Sequence, residues 1–210
     1  VGDLTRNFTI EIDALLKRTH KEKPDLLFLA NPANPTGVLT DKADLLRLTS
    51  GVEGTGTTLV VDEAFIDFVE GDVSIISEAT ELKNTIVLRS MTKFFSIAGL
   101  RLGFIGAHPE SIERIAAVQP PWSVNSLAAA GGVAALDDGT FIEETLEWLK
   151  AERKFMTEEL EKIKGLTVYP SKANFLMVEI TVPSVTAHQL QEQLLKEESL
   201  LIRNLSNFKG

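Results

Sequence analysis

The sequence predicts an α/β fold: a mostly parallel sheet, followed by a smaller α+β unit. Three observations lead there. Apolar runs at 25–30, 59–62, 85–89 and 102–107 have strand length and are nearly unbroken, as strands of a covered parallel sheet are. Helical stretches lie between or after these runs, the arrangement of an α/β layer. From 136 onward the order changes to a long helical stretch and then short strand-like runs. We place the boundary there, giving units 1–135 and 136–210.

Taken in order, residues 3–18 read as a short lead-in and an amphipathic helix, and 25–30 as the first strand. A loop dense in turn residues follows, Asn31-Pro-Ala-Asn34-Pro35-Thr-Gly37. Thr40 is a candidate cap for a helix reaching Leu48, with Asp41 and Asp44 near its positive end. Gly51 to Gly56 break the pattern, and Leu59–Asp62 is the next strand. A short helix near Ser74–Ala79 leads to the strand 85–89. The strand 102–107 precedes a helix over 109–117. Pro120-Pro121-Trp122-Ser-Val-Asn125 is a stiff turn before helices over 126–136 and 141–164. Strands are expected at 166–169, 174–180 and 200–203, with a helix over 187–197 between the last two. Trp148 and Phe155, seven apart on a helix, read as core.

Composition narrows the class. Hydrophobic content of 44% and charged content of 24% are ordinary for a globular chain. A net charge of −9 argues against nucleic-acid binding. No run approaches the roughly 18 apolar residues of a membrane span. With no cysteine there is neither disulfide nor thiolate metal site, which fits a cytoplasmic protein. Residues 1–6 lack a basic-then-apolar signal pattern and an initiator Met, so the chain is expected to be a piece or a processed product. His20, His108 and His188 read as surface residues.

Chemistry gathers at the ends of three strands, where ligands bind in open α/β sheets. Ser90-Met-Thr-Lys93-Phe-Phe-Ser-Ile-Ala-Gly-Leu-Arg101 follows the third strand. Phe94, Phe95 and Ile97 surround Lys93 in sequence, so desolvation is expected to make it a nucleophile able to form a Schiff base. Ser90 and Arg101 offer a hydroxyl and a guanidinium that suit a phosphate. Lysine and phosphate clamp together are what pyridoxal 5'-phosphate requires. Asp62, ending the second strand, can pair with a protonated pyridine nitrogen; a helix cap or a metal ligand is the other reading. Glu63 reads as a packing or salt-bridge residue. Asn34 can donate to a ring oxygen, and Pro35 after it invites a cis bond. Asn125 and Asn174 are candidates for substrate contact, with a turn cap as the other reading of Asn125.

In that order, these motifs make the chain similar to the fold type I pyridoxal phosphate enzymes of the class I and II aminotransferase family, over essentially all 210 residues. The resemblance implies that Lys93 links to the cofactor and moves protons at the substrate Cα. It also implies that Asp62 holds the pyridine nitrogen, Asn34 the ring hydroxyl, and Ser90 and Arg101 the phosphate. It makes Arg203 a candidate for the substrate's phosphate or carboxylate. Two branches are similar: histidinol-phosphate aminotransferase and L-threonine-O-3-phosphate decarboxylase of cobalamin synthesis. Asp62 to Asp67, Trp122 to Asn125 and Leu201 to Phe208 resemble the decarboxylase. Phe65 stands where many transaminases carry a Tyr, and cannot donate to the ring oxygen.

The resemblance thus implies decarboxylation of threonine phosphate to aminopropanol phosphate, with an aminotransferase acting on histidinol phosphate or a related substrate as the alternative. It implies a phosphorylated amino-acid substrate and a homodimer in the intact enzyme. The family's leading segment, with a phosphate-holding loop, and its carboxylate-gripping end have no counterpart in the 210 residues. A non-catalytic aminotransferase-like domain is the reading of a different class.

Overall fold

The computed structural model describes residues 7–208. The part of the expected lead-in at 3–6 lies outside them. Helix α1 (Ile12–Glu22) precedes β1 (Leu26–Ala30), and α2 (Lys42–Gly51) connects it to β2 (Thr58–Asp62). The short α3 (Ile76–Ala79) leads into β3 (Thr85–Ser90), and the one-turn α4 (Met91–Phe94) follows at once. Then come β4 (Gly103–Ala107), α5 (Pro109–Ala116), α6 (Ser126–Asp137) and the long α7 (Gly139–Glu161). A hairpin-like pair, β5 (Leu166–Tyr169) and β6 (Met177–Ile180), precedes α8 (Ala187–Glu198).

The first sheet has the order β1-β2-β3-β4, with β1, β2 and β3 parallel and β4 antiparallel to β3. This is the mostly parallel α/β sheet that the sequence predicts. β5 and β6 form a separate antiparallel pair.

Register explains which residues are buried. Side chains alternate across a strand, and residues paired across neighbouring strands share a face. Leu27, Leu29, Leu59, Val61 and Val87 occupy one face. They pack with Ile12 of α1, Leu45 and Leu48 of α2, and Ile75 and Ala79 at α3. On the opposite face lie Phe28, Val60, Asp62, Leu88 and Ser90. The strands are therefore not all covered on both sides. Phe28 is 65% and Leu26 52% exposed, because among the described residues nothing packs over β1 on that face.

Several sequence expectations change for local reasons. Thr40 does not cap α2. Asn31, fully buried, accepts from the Thr40 N–H (2.7 Å) and donates Nδ2 to the Thr40 carbonyl (3.3 Å), and Asp41 becomes the N-cap residue. The strand expected at 174–180 begins only at Met177, so Asn174 and Phe175 lie in a bend. The run 200–203 forms no strand, since the small sheet has only β5 and β6. Trp148 and Phe155 are 62% and 55% exposed, not core. The inward stripe of α7 is Ile142, Leu146 and Leu149, spaced 4 and 3 residues apart and packed with Phe68 and Phe94. Successive helical residues diverge by about 100°, which turns Trp148 away from that stripe. His108 is partly buried and caps α5 rather than being a free surface residue.

Gly37 joins the two sheets. Its φ is +73°, a Cβ there would stand 2.0 Å from Ser171 Oγ, and its carbonyl accepts from the Lys172 N–H at 2.8 Å. Tyr169 and Met177 of the small sheet pack with Phe8, Val38 and Leu205.

Candidate active site

Parallel strands end on one edge of a sheet, and β4 begins at that same edge because it runs back along β3. Four sequence-predicted residues thereby come to one place. The Asn31 N–H donates to the Asp62 carbonyl at 2.8 Å, which sets the loop carrying Asn34 beside the end of β2. Asp62 stands opposite Ala30 and Leu88, and Ser90 opposite Gly103. Arg101 lies just before β4. Residues 91–102 are thus the connection between two adjacent antiparallel strands, closed by the Met91 N–H on the Leu102 carbonyl (3.2 Å). A Cβ at Gly103 would fall 2.5 Å from the Arg89 carbonyl, so the connection can return this closely only on glycine.

Lys93 projects from α4. Its Nζ donates to Ser90 Oγ at 3.0 Å and lies 5.5 Å from the centre of the Phe65 ring. Ser90 Oγ also meets Thr92 Oγ1 at 2.8 Å. Lys93 is exposed, whereas Met91, Thr92 and Phe94 of the same turn are buried. The expected desolvation of Lys93 is therefore corrected. Phe94 turns inward onto Phe68 (5.1 Å) and Phe141 (6.2 Å), which leaves Lys93 on the outer side of the turn. Phe65 supplies the aromatic surface instead, and Phe175 packs against it edge to face at 5.1 Å.

Asp62 is half-buried, and its Oδ1 accepts from the Ala64 N–H at 3.0 Å. Asn34 is exposed on a loop with cis bonds before Pro32 and Pro35. Its Oδ1 accepts from Arg203 Nη1 at 3.3 Å. Arg203 also lines a shallow cavity of about 600 Å³ with Gln191 and Asn204. Arg101 is exposed at a left-handed residue (φ 56°), its Nη1 donating to the Ala98 carbonyl at 3.1 Å.

Two substrate candidates sit differently. Asn125 caps α6, accepting from the Ala128 N–H at 2.9 Å, the cap alternative of the sequence reading. Asn174 is exposed in the bend before β6, next to Phe175. A further cleft of about 570 Å³, lined by Phe68, Lys150, Arg153 and Lys172 among others, includes none of the predicted residues.

Sequence reasoning passed over Asn31, Phe175 and Arg89, whereas Glu63 takes the packing and salt-bridge place read for it. Glu63 is fully buried, accepting from Ser74 Oγ (2.5 Å) and the Ile75 N–H (3.1 Å). Arg89 Nη1 stands 3.6 Å from Glu63, and Arg89 Nη2 pairs with Asp67. Burial pushes both carboxyls above their ordinary values, with Arg89 opposing the rise. The available signal was a charge inside an apolar strand, Arg89 in Thr85–Ser90, since a buried charge needs a partner. Among the described residues no group of three or more His, Cys, Asp or Glu could hold a metal ion. Nor is any helix there long and apolar enough to cross a membrane.

Lys93 and Ser90 thus meet at one sheet edge, where Asp62 ends the neighbouring strand and Arg101 lies just before β4. Residues 3–209 match the family described as Aminotransferase class I and II, and the chain belongs to that family. It is 34% identical to a histidinol-phosphate aminotransferase of Clostridium novyi, over 99% of this chain and 57% of that protein. It is 37% identical to the threonine-phosphate decarboxylase of Salmonella typhimurium, over 89% of this chain and 50% of that protein. The crystal structure of histidinol-phosphate aminotransferase from Clostridium acetobutylicum shares the fold with a TM-score of 0.89 and 33% identity, over 97% of this chain and 60% of that one. The chain spans about half the length of the curated relatives it matches.

Proposed function

We propose that this chain carries the cofactor site of a pyridoxal 5'-phosphate enzyme that decarboxylates L-threonine O-3-phosphate to aminopropanol phosphate. The observation that carries the cofactor reading is the Lys93–Ser90 hydrogen bond at the strand edge that also presents Asp62. The donor set fits the group. Lys93 Nζ is the amine for its aldehyde, and Ser90 Oγ and Arg101 suit its phosphate. Asp62 suits its ring nitrogen. When bound, the cofactor supplies an aldehyde for the substrate amine and an electron sink for the carbon that loses its carboxylate.

The chain's own residues do the rest. The Asp62 carboxylate holds a proton on the ring nitrogen by charge pairing. Because Arg203 can only donate, it claims Asn34 Oδ1 and leaves Asn34 Nδ2 free to donate to the ring oxygen. Phe65 has no hydroxyl to add to that oxygen, and its ring face lies toward Lys93 Nζ. Lys93 Nζ returns a proton to the substrate Cα after CO₂ departs. Arg203 binds the substrate's phosphate or carboxylate, and Asn174 lines the approach. Asn125 acts through α6 rather than by touching substrate. We keep 1–135 and 136–210 as the two units, with the site on the first and Arg203 brought from the second.

A second reading has support of its own: histidinol-phosphate aminotransferases match the chain at similar identity. There Lys93 would remove the Cα proton. The protein with pyridoxal phosphate and threonine phosphate should release CO₂ without a keto acid. Dependence on 2-oxoglutarate with histidinol phosphate favours the second reading. Neither reaction, with cofactor bound, would contradict both and leave the non-catalytic reading. The intact enzyme is proposed to be a homodimer in the cytoplasm.

A further inference from the structure

We propose that Glu63, Arg89 and Asp67 form a positioning network that fixes the spacing of Asp62 and Ser90 from the opposite face of the sheet. It rests on the reading of Asp62 and Ser90 given above. None of the three is a catalytic residue.

Sequence neighbours on extended strands project to opposite faces. Asp62 and Ser90 point to the face that carries Lys93. Arg89, directly before Ser90, points to the packed face, and so does its cross-strand partner Phe104. Glu63 directly follows Asp62, and its N–H extends the ladder by one bond to the Leu88 carbonyl (2.9 Å). Each cofactor-facing residue is thus backed by a charged neighbour in the chain, and the two backing charges meet.

The contacts tie three strands together. Glu63, with no exposed surface, joins the end of β2 to Ser74 and Ile75 at α3. Arg89, whose side chain is 15% exposed, reaches Glu63 with Nη1 and Asp67 with Nη2. Its guanidinium lies 5.8 Å from the centre of the Phe104 ring on β4. Arg89 Nε is buried and has no hydrogen-bond partner, so the two Nη groups alone hold the guanidinium. One cation therefore serves a fully buried carboxyl, Glu63, and a half-buried one, Asp67, that arrive from different points of the β2 exit. A buried ion pair adds little net stability over apolar packing. What it does add is direction: the planar guanidinium donates a hydrogen bond to Asp67 through Nη2 while Nη1 faces Glu63 as an ion pair. Here that geometry sets the lateral distance between the ends of β2 and β3, and hence between Asp62 and Ser90.

The test compares wild type with Arg89→Met, Glu63→Gln and Asp67→Asn by two readouts. Amide hydrogen exchange needs no cofactor. The Asn31 and Glu63 N–H groups, which cross the strand ends, should exchange about tenfold faster or more in the variants. The mid-strand amides of Val61 and Val87 should change little. Pyridoxal phosphate uptake, followed by absorbance and by the circular dichroism of the bound cofactor, should weaken about tenfold, with lower ellipticity. A purely structural role would instead speed exchange across the whole sheet and lower the melting temperature while leaving the bound cofactor's ellipticity intact. That result, or unchanged exchange at the strand ends, overturns the proposal. If wild type shows no Lys93-dependent uptake, the cofactor reading of Asp62 and Ser90 fails. The exchange readout then decides the network on its own. Asp67→Asn keeps the side-chain volume and decides the matter if Arg89→Met does not fold.

Discussion

Arg203 Nη1 donates to Asn34 Oδ1 at 3.3 Å, although 169 residues separate them in the chain. The contact brings the segment after α8 onto the loop after β1, so the strand-end edge and a substrate-binding candidate meet without a shared element. Both side chains are exposed. A hydrogen bond of this kind contributes about 1 kcal/mol or less.

Arg203→Ala is therefore expected to leave the melting temperature nearly unchanged. If Arg203 grips the substrate, KM for the phosphorylated substrate rises by about tenfold or more, the scale of a lost charge-assisted contact. Thermal unfolding and steady-state kinetics check both halves.

Gly37→Ala is expected to destabilise the fold by about 1–3 kcal/mol in urea unfolding. The added Cβ meets Ser171 Oγ at 2.0 Å and Ser171 Cβ at 2.5 Å, on a backbone with φ of +73°. Adding Ser171→Gly removes the two closest atoms but leaves the residue 171 Cα at 3.0 Å and the backbone strain, so it should restore only part of the loss.

Leu149→Ala and Trp148→Ala separate the two faces of α7. Leu149 is 7% exposed and packs with Phe68 and Phe94, and its truncation should cost about 2–5 kcal/mol. Trp148 is 62% exposed, and its truncation should cost about 1 kcal/mol or less. Equal losses in chemical denaturation would contradict the orientation of α7.

The buried acids predict a pH dependence. Burial raises Glu63 above its ordinary 4.5, with Ser74, Ile75 and Arg89 pulling back. A raised acid binds its proton more tightly in the folded state. Its stabilisation is complete below the ordinary value and is lost as pH rises through the folded one. Glu63→Gln lacks this titration. The unfolding free energy of the variant relative to wild type should thus shift toward the variant as pH rises from below 4.5 to neutrality. A shift the other way would show that Arg89 outweighs burial.

The strands and the site edge were readable because buried strands leave continuous apolar runs and their ends carry the polar exceptions. Asp62, Ser90, Lys93 and Asn34 were singled out as polar residues at or just past strand ends, and the structure puts them at those positions. Other features depend on tertiary partners. The run 200–203 is apolar, yet no strand lies beside it to complete a ladder. Trp148 and Phe155 have helical spacing, but spacing does not say which stripe faces the core. Thr40 has a capping side chain, but Asn31 holds its backbone. Lys93 has aromatic neighbours in sequence, but a one-turn helix sends Phe94 inward and the lysine outward.

The most direct test of the central claim is an absorbance spectrum of the protein with added pyridoxal phosphate, before and after borohydride, for wild type and Lys93→Ala. The account predicts a band near the edge of the visible in wild type that borohydride converts to a permanent adduct, and no adduct in Lys93→Ala. An adduct of equal yield in both proteins would contradict the assignment of Lys93.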